Sequence, residues 1–144
     1  MSDAAITAEQ FLAVLHASMP EVRDLDLRVD RFARGEVTVR LAHDDRRLRP
    51  GGTISGPTVF MLADLALYAV TMSIVGLEPL AVTTDVTIHF LRKPAPAALV
   101  CTAKVLKAGK RLVIGEAHVR SERESEESEA VAHVVGTYSV PPRG

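Results

Sequence analysis

The length, composition and charge of the chain exclude several classes of protein. Its 144 residues fit one domain, and a hydrophobic content of 47% is enough to form a real core, so we expect residues 1–144 to fold as a single domain. A formal net charge of -1 and an aromatic content of 4% provide neither a basic surface nor stacking platforms, which argues against nucleic acid as a partner. Cys101 is the only cysteine, so the chain can form neither an intramolecular disulfide nor a cysteine-rich metal site, which fits a cytoplasmic location.

The N-terminal segment predicts a short amphipathic helix over residues 7–18. Thr7 and Gln10 have the spacing of a capping box, and Phe11 and Leu15 fall on one side of the helix. Acidic residues among the first ten positions argue against an export signal.

Further along, the sequence GEVTVRLAHD alternates between apolar and polar residues and predicts a half-buried strand. A loop rich in glycine and proline follows, and an apolar run then predicts a long helix over residues 57–75, with Pro57 in its first turn. Four more alternating runs predict long strands in an antiparallel meander, with the charged run SERESEESE as a solvated hairpin tip.

The long helix is about long enough to span a bilayer. Asp64 near its centre, and the lack of a Lys/Arg cluster at either end, favour instead a helix buried within a protein that is not in a membrane. Since one sheet must bury its apolar face and the chain offers one long apolar helix, the predicted fold is α+β, with a curved sheet wrapped around that helix.

Asp64 is the candidate functional residue that the residues themselves single out. A carboxylate buried without a partner costs several kcal/mol, so its place in an apolar run needs a reason. A structural ion pair or hydrogen bond is one reason, and a catalytic base is the other.

Three segments, taken in order and spacing, resemble the PaaI-type branch of the hot-dog thioesterases. They are GGTISGPTVFMLADLA, TTDVTIHFLRKP and KVLKAGKRLVIGEAHV. The resemblance runs from about residue 35 to residue 140. It implies a hot-dog fold and the hydrolysis of an acyl-CoA or related thioester.

The resemblance also implies a set of site residues. The family's acid falls on Asp64, and the hydroxyl that holds the attacking water best matches Thr83. Ser55 stands where the family has a histidine, and Arg49 stands where it has an asparagine, so two polar residues of the usual site are changed. Gly56 precedes the helix, where a backbone N–H and the helix dipole favour an oxyanion.

Each of these residues has a simpler interpretation as well. Ser55 is more readily a helix cap than a catalyst, and Gly56 is equally well a turn glycine. Arg49 would favour the ionised form of Asp64 if its guanidinium reached that residue or the thioester oxygen, and it carries no mechanism if it faces solvent.

The spacing of Gly56 and Asp64 predicts an assembly. Eight residues along a helix separate two positions by about 12 Å, so one chain cannot place both groups on one carbonyl. Either the pairing is wrong, or Gly56 of one subunit faces Asp64 of another. The second option is the interface site that the resemblance implies, and it predicts a homodimer or a dimer of dimers.

Four cations are candidates for the phosphates of CoA, namely Arg92, Lys107, Lys110 and Arg111. No cofactor is expected beyond the CoA of the substrate. The five histidines show no metal-ligand spacing, and no metal site is expected. Two alternatives remain for the function: an acyl-thioester-binding protein that does not turn its ligand over, and a hydratase on the same fold.

Overall fold

The computed structural model describes residues 3–125 and 129–142. Part of the charged run, residues 126–128, lies outside the described residues, so the prediction of a solvated tip is untested there. The helices are α1 (Ala8–Ser18) and α2 (Gly56–Val75), and the strands are β1 (Leu27–Ala33), β2 (Glu36–Leu41), β3 (Leu48–Arg49), β4 (Thr53–Ile54), β5 (Val82–Phe90), β6 (Leu99–Ala108), β7 (Leu112–Ser121) and β8 (Ala132–Ser139).

Six strands form one antiparallel sheet in the order β1-β2-β6-β7-β8-β5, and β3 and β4 form a separate two-stranded ribbon. The predicted curved antiparallel sheet, one long central helix and short N-terminal helix are confirmed. The predicted meander is correct for β6, β7 and β8 only, because β5 joins the far side of β8 and becomes an edge. Strand β1 was not predicted. Three of its seven residues are charged, which weakens the alternation.

Helix α2 is defined at both ends by local chemistry. The Ser55 side chain caps its first turn, and Gly76 ends it with a φ of 96°, a conformation that glycine adopts without steric cost. At the N-terminus, the predicted capping box of α1 is present, with Thr7 and Gln10 bonding each other's backbone N–H groups.

The sheet wraps α2 most closely at two glycines on neighbouring strands. A Cβ atom built on Gly115 of β7 would lie 2.9 Å from a methyl of Leu67, and one on Gly136 of β8 would lie 2.7 Å from the other. Such distances are too short for real carbon contacts, so the backbone approaches the helix where no side chain intervenes. Leu67 is almost fully buried there.

Helix α2 is long and apolar enough to cross a membrane by length and composition. In this fold, however, 67% of its most apolar stretch is buried, and the helix packs against all six strands of the main sheet. It is therefore the core helix of this fold.

Candidate active site

Asp64 lies on α2 where the helix passes β5 and β8. One carboxylate oxygen, Oδ1, accepts two hydrogen bonds, at 2.9 Å from the Thr83 hydroxyl and at 2.7 Å from the Tyr138 hydroxyl. The side chain is half-buried rather than fully buried. Two hydroxyl donors thus fix the carboxylate, and no cation bonds it within the described residues.

The second carboxylate oxygen of Asp64, Oδ2, has no hydrogen-bond partner among residues 3–125 and 129–142. Those ranges also contain no buried side-chain oxygen or nitrogen that lacks a partner, so Oδ2 is in contact with solvent. One oxygen is held and the other is open, which is the arrangement that a general base or a nucleophile requires.

Tyr138 is a site residue that sequence reasoning missed. Burial, followed by the negative charge of Asp64, raises the pKa of Tyr138 well above its usual value, so the phenol stays neutral and keeps its proton for Asp64. Its ring stacks on Tyr68 at a centroid distance of 5.7 Å. The sequence signal was an inward-facing tyrosine in the last strand, but only the strand register shows which residue it faces.

Thr83 reaches Asp64 because of an irregularity in β5. The pairing with β8 shifts between Thr83 and Asp85, so Thr84 is an extra residue. Strict alternation along β5 would place Val82 and Thr84 on the same face as Val86, but the bulge places Thr83 on that face instead.

Gly56 is the first residue of α2, eight residues before Asp64 on one continuous helix. Because both lie on one continuous helix, the helix rise separates them by about 12 Å within one chain. Of the N–H groups in the first turn, Thr58 bonds the Ser55 side chain at 3.3 Å and Val59 bonds the Ser55 carbonyl at 3.2 Å. Pro57 has no N–H, which leaves Gly56 as the available donor.

Ser55 and Arg49 have distinct surroundings. The Ser55 hydroxyl caps α2 and also lies 2.8 Å from the Thr58 hydroxyl, so it is engaged locally. Arg49 is exposed on β3, and its guanidinium makes no hydrogen bond or ion pair with the part of the chain that is described. Its place near the start of α2 keeps it away from Asp64 of the same chain.

A cavity of about 770 Å³ opens beside the N-terminus of α2. Its lining includes Arg49, Gly56, Phe90, Arg92 and Lys93, but not Asp64. The candidate oxyanion donor and the candidate base therefore lie in different places on one chain.

The four candidate phosphate-binding cations are also divided between two places. Arg92 lines the cavity, and its guanidinium bonds the Glu124 carboxylate and the Glu129 carbonyl. Lys107, Lys110 and Arg111 line a second cavity of about 390 Å³ at the hairpin between β6 and β7.

Comparisons with known proteins agree with this fold. The thioesterase superfamily model matches residues 51–128, which include Gly56, Asp64 and Thr83. A search of curated proteins found no match.

Among solved structures, the chain is similar to a protein from Silicibacter sp. TM1040 with a provisional thioesterase assignment, at 37% identity and a TM-score of 0.84, covering 97% of this chain and 95% of that one. It is also similar in fold to a thioesterase family protein from Silicibacter pomeroyi, at 22% identity and a TM-score of 0.81, covering 94% and 98%. The PaaI protein of E. coli matches at 21% identity and a TM-score of 0.75, covering 93% and 95%.

The chain therefore belongs to the thioesterase superfamily, and its fold is the hot-dog fold. Membership in this family supports thioester hydrolysis as the general reaction.

Proposed function

We propose that this protein hydrolyses an acyl-CoA or a closely related acyl thioester, with Asp64 as general base or nucleophile. The observation that carries the proposal is the asymmetry of the Asp64 carboxylate, whose Oδ1 accepts bonds from Thr83 and Tyr138 while Oδ2 is open to solvent. The held Oδ1 fixes the direction of the carboxylate, and the open Oδ2 is available to a water molecule or to a substrate.

In the general-base route, Oδ2 accepts a proton from water as the water oxygen bonds to the thioester carbon. The tetrahedral intermediate then collapses, the C–S bond breaks, and the proton passes to the departing thiolate. In the nucleophilic route, Oδ2 itself attacks the thioester carbon, and the C–S bond breaks to give a mixed anhydride and a thiolate that takes a proton from water. A second water molecule then cleaves the anhydride to the free acid and the Asp64 carboxylate. Both routes use the same held Oδ1 and the same open Oδ2.

The oxyanion that forms in either route requires a donor, and the Gly56 N–H at the start of α2 is suited to this role. It is left without an intrahelical acceptor, and the positive end of the helix dipole favours negative charge there. Asp64 lies eight residues further along the helix, which corresponds to about 12 Å at a rise of about 1.5 Å per residue. The Gly56 N–H therefore cannot act together with Asp64 of its own chain.

The edge strand β5 supports a site shared between two subunits. Asp64 touches Thr83 near one end of β5, whereas Gly56 lies beside Phe90 at the other end. If β5 pairs with β5 of a second copy about a two-fold axis near Val86, each end meets the opposite end of its partner. Gly56 of one subunit then lies near Asp64 of the partner subunit.

Exposed apolar side chains support the same edge as the interface. They flank β5 and the neighbouring face of α2, and they are Phe60, Leu80, Val82, Phe90 and Leu91. The unpaired N–H and C=O groups of an edge strand also favour pairing with another strand. We therefore propose a homodimer, which two such dimers can extend to a tetramer.

The same pairing of β5 with β5 of a second copy would bring the two groups of candidate phosphate-binding cations together. Leu112 of β7 pairs with Ser139, and Ser139 pairs with Val82, so the hairpin with Lys107, Lys110 and Arg111 lies at the Val82 end of β5. Arg92 follows the other end. The partner's Arg92 would thus approach this hairpin and provide a basic surface for the phosphates of CoA.

Thiol release from a panel of short, medium, long and aromatic acyl-CoAs tests the proposal. Asp64→Asn preserves size but removes the ionisable group, and we expect it to reduce turnover by about 100- to 10,000-fold while binding is retained. Asp30→Asn is the matched control, since Asp30 lies on β1 at the opposite edge of the sheet from β5 and bonds Arg40, outside the Asp64 contacts. Equal rates for the parent and Asp64→Asn would refute the assignment.

A protein that binds acyl thioesters without hydrolysing them is the second candidate. It is favoured by Ser55, which stands at the family's histidine position and has its hydroxyl occupied by capping α2. Binding across the panel without any thiol release by the parent protein would establish this alternative.

A further inference from the structure

A cluster of metal-ligand side chains lies on the face of the sheet that points away from α2. Glu116 and His118 are two residues apart on β7, so they point to the same side. His118 pairs directly with His133 of β8, which brings a second imidazole to that side. The buried neighbours Ala117 and Val134 point the other way, toward the core.

The three side chains are already close to one another. His133 Nε2 lies 2.9 Å from Glu116 Oε2, and the two imidazole rings have centroids 4.8 Å apart. One ligand atom from each residue can be chosen so that all three lie within 4.8 Å of one another.

We propose that Glu116, His118 and His133 form a binding site for a divalent transition-metal ion of the zinc type. Two imidazole nitrogens and one carboxylate oxygen suit zinc, cobalt(II), nickel or copper(II), whereas magnesium and calcium require mainly oxygen ligands. Ligands about 2.0–2.2 Å from a tetrahedral ion are about 3.3 Å apart, so small side-chain rotations would close the cluster. The fourth position opens to solvent, because His118 is exposed.

The backbone beneath the cluster is well suited to hold a fixed geometry. Strands β7 and β8 are both interior to the sheet, and their pairing runs without a bulge from Leu112 to Val119. Ligands on such strands are positioned more accurately than ligands on loops.

The charges around the cluster are compatible with a cation. Lys104 pairs with Glu116 across β6 and β7, but its ammonium lies 3.7 Å from the Glu36 carboxylate, and its side chain is 62% exposed. His89 pairs with His133 from β5, yet it is not among the three residues whose ligand atoms come together.

This site is independent of the proposed thioester chemistry, because Asp64 lies on the opposite side of the sheet. A bound ion would join β7 to β8 and stabilise the folded chain by mass action. If the chain binds no such ion, the proposed thioester hydrolysis is unaffected.

The test uses tag-free protein that has been stripped of metal with a chelator. Calorimetric titration with zinc chloride should give one ion per chain with a dissociation constant of about 10 μM or tighter. Cobalt(II) should show the visible absorption of a tetrahedral complex, and magnesium should not bind.

Matched histidine variants then locate the ion. His118→Asn and His133→Asn should each weaken zinc binding by at least about tenfold, in the range seen when a site loses a supporting group. His43→Asn is the control, since His43 also bonds a carboxylate, that of Asp45 at 2.8 Å, but is not part of the cluster. Asp64→Asn should leave zinc binding unchanged.

A thermal measurement guards against variants that fold poorly. Zinc should raise the Tm of the parent and of His43→Asn, but not that of His118→Asn, while circular dichroism shows that each variant is folded. Absence of zinc binding by the parent, or equal affinity in the parent and in both cluster variants, would overturn the proposal.

Discussion

Two hydroxyl groups hold the Asp64 carboxylate in place. The Thr83 and Tyr138 hydroxyls both donate to Oδ1, and Tyr138 also lies 3.1 Å from the Asp64 carbonyl. A hydrogen bond to a charged group is worth about 1.5–3 kcal/mol, so these contacts can decide where the carboxylate points. Tyr138 is a positioning residue, because it acts on the substrate only through Asp64.

Tyr138→Phe removes one of these donors and little else. We expect it to lower kcat by about 10- to 100-fold, following the strength of a charge-assisted hydrogen bond, with a small effect on KM. Tyr68→Phe is the control, since it removes the hydroxyl of the tyrosine that stacks on Tyr138. That hydroxyl donates to the Pro79 carbonyl at 2.9 Å and not to Asp64. Steady-state thiol release measures both variants, and an equal loss in the two would show that Tyr138 acts only through packing.

Because of the buried Cys101 thiol, we expect the free energy of unfolding to depend on pH in the alkaline range. Burial raises the pKa of the Cys101 thiol from 9.0 to about 12. Between these values the unfolded chain has lost a proton that the folded chain keeps. The thiol's contribution to stability is therefore fully present below pH 9 and falls with rising pH by about 1.4 kcal/mol per unit.

Cys101→Ala removes this dependence. Urea unfolding of parent and variant from pH 8 to pH 10.5 should show a shallower decline for the variant, whatever the difference in stability at pH 8. The comparison isolates the thiol, because Tyr68 and Tyr138 titrate in both proteins. Parallel declines would contradict the prediction.

The N-terminus of α2 combines a cap with a free donor. Ser55 is extended, with φ of -69° and ψ of 150°, and Gly56 is the first helical residue. Proline is tolerated at that first position, and the residue before proline prefers the backbone conformation that Ser55 already has. The Gly56 N–H can therefore be removed without breaking the helix.

Gly56→Pro tests the proposed oxyanion donor. We expect kcat to fall by about 100- to 1,000-fold, as when one oxyanion donor is lost. Gly56→Ala keeps the N–H, and its Cβ would meet the Phe90 ring at 3.5 Å, an ordinary contact, so most of the rate should remain. Equal rates for the two variants, both folded by circular dichroism, would remove Gly56 from the mechanism.

The sheet leaves β5 at one edge, and the face of α2 beside it is incompletely covered. Gly56, Phe60 and Asp64 are four residues apart on α2 and so form a stripe along one side of the helix. Phe60 in that stripe is 37% exposed, which is unusual for a large aromatic residue on a core helix. A second copy of the chain paired through β5 would cover Phe60 in this stripe.

Val82→Glu places a charge at the β5 edge and should weaken the homodimer. The control is Leu106→Glu on β6, because the two parent side chains are nearly equally exposed, at 55% and 56%. Light scattering and sedimentation at micromolar concentration should show monomers for Val82→Glu and dimers for Leu106→Glu. A parent protein that is monomeric at this concentration would refute the shared site.

The sequence by itself determined the features that depend on neighbouring residues in the chain. The capping box of α1, the proline and glycine at the two ends of α2 and the apolar run between them are all local, and α2 begins and ends within one residue of its predicted bounds. Asp64 stood out for the same reason, as one carboxylate in an apolar run. The family resemblance then supplied Thr83 and Gly56 as candidates.

The tertiary structure alone decided which distant residues meet. Tyr138 reaches Asp64 across 74 positions, and His118 meets His133, because the register of β7 and β8 is fixed by how their inward side chains pack on α2. The bulge at Thr84 has the same origin, since it turns Thr83 toward Asp64 against the local alternation. Side-chain period along a strand is a local property, but register is a property of the packed sheet, and the sites proposed here depend on register.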